Sequence, residues 1–129
     1  MVHLGIIPDG NRRWCIKNKK SKDFLLIHVI KQFLSILNEL VNNSDMKDIS
    51  ELSLYILSID NYSRNDDTIE FVSKVIQLLY SKLSINELFY NTFSIRFIGD
   101  REKFSENINN IITQFETNFN GKIKIHLAF

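Results

Sequence analysis

Apolar and polar positions alternate along this chain in two periods, and the two periods take turns. Residues 2–7, Val2-His3-Leu4-Gly5-Ile6-Ile7, form a short apolar run closed by Pro8. That run reads as a buried strand, ended by a residue with no N–H to give to a sheet. Residues 17–22 are basic and polar and read as a loop. Residues 24–41 then place Leu26, Ile30, Phe33, Leu37 and Leu40 on one helical stripe, with Asn42-Asn43 as its end. Residues 51–59 carry Leu52, Leu54, Tyr55, Ile56, Leu57 and Ile59, a second buried strand. Asp67-Thr68-Ile69-Glu70 has the form of a capping box. It opens a helix over 67–84 with Val72, Ile76, Leu79 and Leu83 on one face. Residues 93–98 predict a third strand ended by Gly99-Asp100. Phe104, Ile108, Ile111, Phe115 and Phe119 recur at helical spacing, and Gly121 stops that helix. Residues 122–129 alternate again, with Ile123, Ile125, Leu127 and Phe129 on one side, a fourth strand.

The order is β-α-β-α-β-α-β, and the expected class is α/β with a parallel sheet and flanking helices in a single domain over 1–129. Strands separated by helices of this length call for right-handed crossovers rather than hairpins. Open parallel sheets bind ligands beyond the carboxyl ends of their strands. Three strand ends therefore matter: residues 8–14, 58–64 and 99–102. Together they gather Arg12, Arg13, Arg64 and Arg101, several acids, and the aromatics Trp14 and Tyr62 on one predicted edge. The loops at the other edge, 42–47 and 84–91, carry no such set.

Composition narrows the classes. Hydrophobic residues make up 44% and charged residues 24%, as in ordinary globular proteins. Net charge is +1, so no global field argues for nucleic acid and any anion site must be local. The one cysteine, Cys15, excludes an internal disulfide and reads as a buried neutral thiol rather than a nucleophile. The longest apolar stretch, 24–41, is broken by Lys31, Gln32, Ser35, Asn38 and Glu39, so it reads as amphipathic and not as a membrane span. The N-terminus lacks the basic-then-apolar order of a signal peptide.

The edge suits a phosphorylated ligand. Arg12, Arg13 and Arg64 can fork onto phosphate oxygens. Gly10 lets backbone N–H groups approach an anion closely. Asp9 beside a diphosphate needs a bridging cation, and Mg²⁺ takes one or two carboxylates plus phosphate oxygens. Read singly, each feature has a plainer meaning. Asp9-Gly10-Asn11 is a common turn, Asp60 and Arg64 can form an exposed ion pair, Trp14 and Tyr62 can cap a core, and Gly99-Asp100 can be only a turn.

The motifs also carry a resemblance. His3-Leu4-Gly5-Ile6-Ile7-Pro8-Asp9-Gly10-Asn11-Arg12-Arg13-Trp14 resembles the first signature of the cis-prenyltransferases, the undecaprenyl and dehydrodolichyl diphosphate synthase family. Leu54-Tyr55-Ile56-Leu57-Ser58-Ile59-Asp60-Asn61-Tyr62-Ser63-Arg64 resembles the second, and Arg96-Phe97-Ile98-Gly99-Asp100 the third. The resemblance implies condensation of isopentenyl diphosphate onto an allylic diphosphate such as farnesyl diphosphate, with cis geometry and assisted by Mg²⁺, to give a polyprenyl diphosphate of the dolichol or undecaprenol type. It implies that Asp9 handles Mg²⁺ and diphosphate. Gly10, Asn11, Arg12, Arg13 and Trp14 match the loop gripping the allylic substrate, Asn11 also matching a catalytic position. Lys22 stands where an Arg completes that grip. Ser58 and Asn61 match polar positions near the reacting groups, and Arg64 the basic residue closing the second motif. The helices 24–41 and 67–84 match those that line an apolar tunnel, although ordinary core faces fit the same pattern.

The departures set further expectations. Pro8 replaces a Met, Arg12 a Gly of many bacterial members, and His28 is displaced from the family's helix histidine. The pattern ends at Phe129, where the family continues into Asn-Tyr-Gly-Gly-Arg and, later, an Arg-rich segment for isopentenyl diphosphate. The chain is therefore expected to be an N-terminal half, to bind the allylic diphosphate weakly and not to elongate it alone. The competing readings are a non-catalytic binding or partner subunit of a heteromeric prenyltransferase, and an unrelated phosphate-binding α/β domain. A cytoplasmic protein is expected, with a peripheral seat at the endoplasmic reticulum or inner membrane face through its lipid product. A homo- or hetero-oligomer is compatible with the pattern.

Overall fold

Four strands, β1 (Val2–Ile6), β2 (Ile49–Tyr55), β3 (Phe93–Ile98) and β4 (Ile123–Ala128), make one parallel sheet in the order β1-β2-β4-β3. The computed structural model describes residues 1–8, 10–56 and 66–129, and the side chains of Arg12, Asp66 and Asp67 lie outside that description. The sheet's register explains its two faces. Leu4, Leu52, Ile125 and Ile95 align across it in one row, and Ile6, Leu54, Leu127 and Phe97 in a second row two residues on. Because side chains alternate along a strand, both rows point to the same face. The opposite face carries His3, Glu51, Lys124 and Ser94 in one row and Gly5, Ser53, His126 and Arg96 in the next.

Helices cover the apolar face. α1 spans Asn11–Lys17, α2 Lys22–Asn42, α3 Asp66–Leu83, α4 Glu87–Thr92 and α5 Glu106–Asn118. α2 starts where Ser21 accepts a hydrogen bond from the Phe24 N–H at 3.1 Å, the expected work of an N-cap serine. It ends at Asn43, whose side chain donates to Glu39 and accepts from the Asp45 N–H of the following 3-10 turn. Leu25, Ile30, Phe33, Leu37 and Leu40 form its buried stripe. Val72, Val75, Ile76, Leu79 and Leu83 of α3 and Ile108, Ile112 and Phe115 of α5 join Ile30, Phe33, Leu37 and Leu40 in one core. Each such side chain stabilises the fold by about 1.5–3 kcal/mol relative to exposure.

The four strands and three long helices stand where the periodicity puts them, with small shifts. Leu25 rather than Leu26, and Ile112 rather than Ile111, occupy the deepest positions. β2 stops at Tyr55, and residues 57–59 of the expected strand lie outside the described residues, as does the Asp67 cap. Two short helices were read as loops. Among its described side chains α1 buries only Cys15, and Gly10 offers no side-chain cap, so it leaves no apolar stripe. α4 is a six-residue helix capped by Asn86 that buries only Phe89. Gly121 does not stop α5, which ends at Asn118. A Cβ at Gly121 would run into the Thr92 and Phe93 backbone, so glycine is there for close approach.

One further expectation needs correction. Not every crossover is right-handed. The chain moves across the sheet in one direction from β1 through β2 to β3, then back to β4. α2, α3 and α5 share one face, with Phe115 of α5 against Phe97 and Tyr80 of α3. The β3–β4 connection therefore has the opposite hand to the other two. By length and composition alone α2 would also pass for a helix able to cross a bilayer, yet its stripe of Ile30, Phe33, Leu37 and Leu40 packs into the core, as its amphipathic pattern predicts.

Candidate functional site

β1 delivers the chain to the sheet's carboxyl edge at Ile6, through exposed Ile7 and Pro8. Gly10 then adopts φ 83° and ψ −4° as the N-cap of α1. A left-handed residue followed by right-handed helix is the backbone order of anion-binding nests, and only glycine adopts it without strain. Trp14 N–H donates to the Gly10 carbonyl at 2.9 Å, closing the first turn. Asn11 opens α1 half-buried, Arg13 is exposed, and Cys15 points into the protein as a free buried thiol.

A tight reversal returns the chain beside α1. Asn18 donates its side-chain N–H to the Trp14 carbonyl at 2.9 Å. Lys19 takes φ 55°, and Lys20 N–H reaches the Cys15 carbonyl at 2.8 Å. Ser21 then starts α2, which puts Lys22 in its first residue. Three rings hold the two helices together. Trp14 lies 6.1 Å from Phe24 and 6.2 Å from His28, and Phe24 lies 6.2 Å from His28. Their planes are within 22° of one another. The Lys20 ammonium sits over the Phe24 ring at 5.0 Å, within range of a cation–π attraction.

Gly10, Asn11, Arg13, Trp14 and Lys22 are thus gathered in one helical hairpin at the end of β1. β2 ends beside it, since Ile6 pairs with Leu54. Asp9, Ser58, Asn61 and Arg64, together with Asp60, Tyr62 and the Arg12 side chain, lie outside the described residues. Among the described residues no group of three or more His, Cys, Asp or Glu could hold a metal ion. Trp14 is about half exposed, so it does not cap the core.

The third expected loop does not join this set. β3 lies three strand spacings from β1, roughly 14 Å. Arg101 is spent internally: its guanidinium meets the Glu116 carboxylate at 2.8 Å and donates to the Phe97 carbonyl at 3.2 Å. Asp100 caps a 3-10 turn by accepting from the Glu102 N–H, and its carboxylate is 3.9 Å from Lys103. Gly99 and Asp100 are a structural turn; Gly99 has φ 146°, and a Cβ there would meet the Phe129 carbonyl at 2.5 Å.

Sequence reasoning left Phe24 and His28 out of the site. Their spacing of four residues on α2 was the available signal, because residues four apart share a helix face. The polar sheet face was also missed. His126 and Glu51 are 3.1 Å apart, and His3 bonds Ser53 at 2.7 Å. The Glu51 carboxyl is held below the usual glutamate range, first by the His126 hydrogen bond and then by the charges of Lys124, His3 and His126, while desolvation works the other way.

Comparison with known proteins bears on this arrangement. Residues 7–129 match a prenyltransferase family described as "Putative undecaprenyl diphosphate synthase". An isoprenyl transferase of Prochlorococcus marinus is 28% identical over 128 residues, covering 98% of this chain and 45% of that protein. An isoprenyl transferase of Rickettsia typhi is 31% identical over 131 residues, covering 98% of this chain and 55% of the relative. The chain spans about half the length of these curated relatives. The solved structure of lavandulyl diphosphate synthase from Lavandula x intermedia, in complex with dimethylallyl diphosphate, superposes with a TM-score of 0.71 at 20% identity. That match covers 98% of this chain and 53% of the synthase, and it establishes the likeness of fold. With its signature residues seated at the end of β1 and a match running through nearly the whole sequence, this chain belongs to the cis-prenyltransferase family of undecaprenyl diphosphate synthases.

Proposed function

We propose that this chain binds an allylic diphosphate, farnesyl diphosphate or a similar one, where β1 and β2 end, and serves its cis-condensation with isopentenyl diphosphate to a polyprenyl diphosphate. The observation that carries this reading is the hairpin itself. It sets a left-handed glycine, Asn11, Arg13 and Lys22 around one corner of a parallel sheet's carboxyl edge, the edge where such sheets bind ligands. The related synthase was solved with dimethylallyl diphosphate, a molecule of the same chemical class.

The chemistry asks for particular roles. Loss of diphosphate from an allylic carbon leaves positive character on the carbon and negative charge on the departing oxygens. Arg12, Arg13 and Arg64 stabilise that charge with forked hydrogen bonds, and Lys22 as a point charge. Asn11 orients the diphosphate, and Ser58 and Asn61 supply polar contacts near the reacting groups. Trp14 lies against the first carbons of the prenyl chain. Asp9 is the carboxylate suited to hold Mg²⁺ jointly with diphosphate oxygens. When bound, that ion neutralises the leaving group.

Isothermal titration of the protein with pyrophosphate and with farnesyl diphosphate, each with and without Mg²⁺, tests the reading. Binding should depend on Mg²⁺ in the wild type and lose that dependence in Asp9→Ala. Arg13→Ala should weaken it by about 10–100-fold, the worth of charge-assisted hydrogen bonds. Affinity unchanged in both variants would refute the assignment.

A further inference from the structure

Three rings from two helices meet at the α1–α2 hairpin, and His28 among them has no part in the proposed chemistry. Trp14 comes from α1, while Phe24 and His28 come from α2, four residues apart and so on one helix face. The ring centroids are 6.1 Å apart for Trp14–Phe24, 6.2 Å for Trp14–His28 and 6.2 Å for Phe24–His28. Rings stacked in one column would hold the outer pair much farther apart than the neighbouring pairs. Nearly equal sides mean instead that the rings lie side by side, with planes within 22° of one another. Each spacing falls in the range of favourable aromatic pairs.

This arrangement fixes a ring that the core does not hold. Trp14 is 48% exposed, on a helix whose described side chains bury only Cys15. Phe24 is exposed as well, with the Lys20 ammonium over its ring at 5.0 Å. His28 is half-buried and lies between the buried Leu25 and Ile30 along α2, so it is the best anchored of the three. Trp14 stands about one turn of α1 beyond Gly10, roughly 6 Å. With a diphosphate at Gly10, that distance puts the Trp14 ring at the first isoprene unit of the tail rather than at the phosphates. A ring that must be ordered when the tail arrives costs affinity, and a ring already held does not.

We propose that His28 is a positioning residue: it holds the Trp14 ring ready for the prenyl tail, and so sets how far affinity for an allylic diphosphate exceeds affinity for the diphosphate head alone. The inference rests on the proposed diphosphate site and adds that tail recognition is tuned from α2, by a side chain that touches Trp14 and not the ligand. His28 acts here as a ring, not as an acid or base. It stands off the position of the family's helix histidine, so the resemblance gives it no such role.

Titration with farnesyl diphosphate and with pyrophosphate, both with Mg²⁺, separates tail from head. His28→Ala should weaken farnesyl diphosphate binding about 2–10-fold, the worth of one aromatic pair. Pyrophosphate affinity should stay at the wild-type value, which also shows that the variant is folded. His28→Phe should restore farnesyl diphosphate affinity, because it keeps a ring. On a Trp14→Ala background, His28→Ala should add no further loss, as expected when one residue acts through the other. Trp14 is the chain's only tryptophan, so its near-ultraviolet circular dichroism should shrink in His28→Ala and return in His28→Phe. Equal farnesyl diphosphate affinity in wild type and His28→Ala would overturn the proposal. So would a loss shared by pyrophosphate, or one that persists without Trp14. In each of these cases pyrophosphate binding by the wild type leaves the diphosphate site standing and removes only the role of His28. A wild type that binds no pyrophosphate removes the site and this inference together.

Discussion

Arg101 separates two accounts of this protein, and replacing it decides between them. Counted with the arginines of the carboxyl edge, it should contribute to anion binding. The structure instead sets it on the Glu116 carboxylate, 2.8 Å from each oxygen, and on the Phe97 carbonyl at 3.2 Å. Glu116 Oε2 also accepts from the Phe97 N–H at 3.2 Å. The carboxylate thus ties α5 to the carboxyl end of β3 and is only 15% exposed, against 38% for Arg101. Removing one partner of a fully buried pair costs about 3–5 kcal/mol, whereas an exposed pair contributes about 0–1 kcal/mol. Water reaches the guanidinium but hardly the carboxylate, so Arg101→Ala should cost about 1.5–2.5 kcal/mol. For a chain of this length that lowers Tm by roughly 5–12 °C. Urea unfolding followed by circular dichroism measures the loss, and pyrophosphate titration of the same variant should be unchanged. Arg101→Ala/Glu116→Gln should recover part of the stability, because it no longer strands a charge. A variant of wild-type stability that binds pyrophosphate tenfold more weakly would show that Arg101 belongs to the edge after all.

Gly121→Ala should be among the most damaging single changes, since its Cβ would strike the Thr92 and Phe93 backbone, which cannot turn aside like a side chain. A cost of about 3 kcal/mol, the upper range of overpacking, should appear as a lower urea midpoint. Glu51 has a carboxyl pKa lowered on folding, chiefly by His126, so its contribution is fully present above the ordinary glutamate value. It is lost as pH falls below about 4.3 through the lowered value. Glu51→Gln should therefore flatten the acid limb of a stability-versus-pH curve while leaving the neutral region's slope alone.

Long amphipathic segments and apolar runs were legible because each is a repeated statement of the same period. Val72, Ile76, Leu79 and Leu83 name their helix face four times over, and all four are buried. α1 and α4 were illegible for the opposite reason: each buries one residue, Cys15 and Phe89, and a single residue has no period. Strand order was not readable either. Apolar alternation tells a strand which way to face but not which neighbour to take, and only the return from β3 to β4 separates the third loop from the first two. The candidate site was legible in part. Gly10 and Arg13 were named from residue type and Asn11, Trp14 and Lys22 through the family resemblance, and the structure puts all five in one hairpin; the stacking of His28 on Trp14 and Phe24 was not readable, because it joins rings from different helices.

The two ends of the sheet are built by different means. At the β3–β4 end, Arg101, Glu116, Gly99 and Phe129 interlock: Phe129 packs on Phe97 and Phe104, and its N–H donates to the Ile98 carbonyl at 2.9 Å. A Cβ on Gly99 has no room there. At the β1 end the chain does the reverse. Ile7, Trp14, Ile16, Phe24 and Ile27 all face water, and the α1–α2 hairpin is closed by three rings and a lysine rather than by core. Exposed apolar surface of this kind adds nothing to the stability of the isolated fold. Its concentration in a segment that also carries the first family signature and a surplus of cations supports the proposed binding of a charged-headed, apolar-tailed ligand there. Such a ligand needs cations for its head and uncovered apolar area for its tail; at the β3–β4 end Ile98 is exposed, but Arg101 and Lys103 are paired with Glu116 and Asp100.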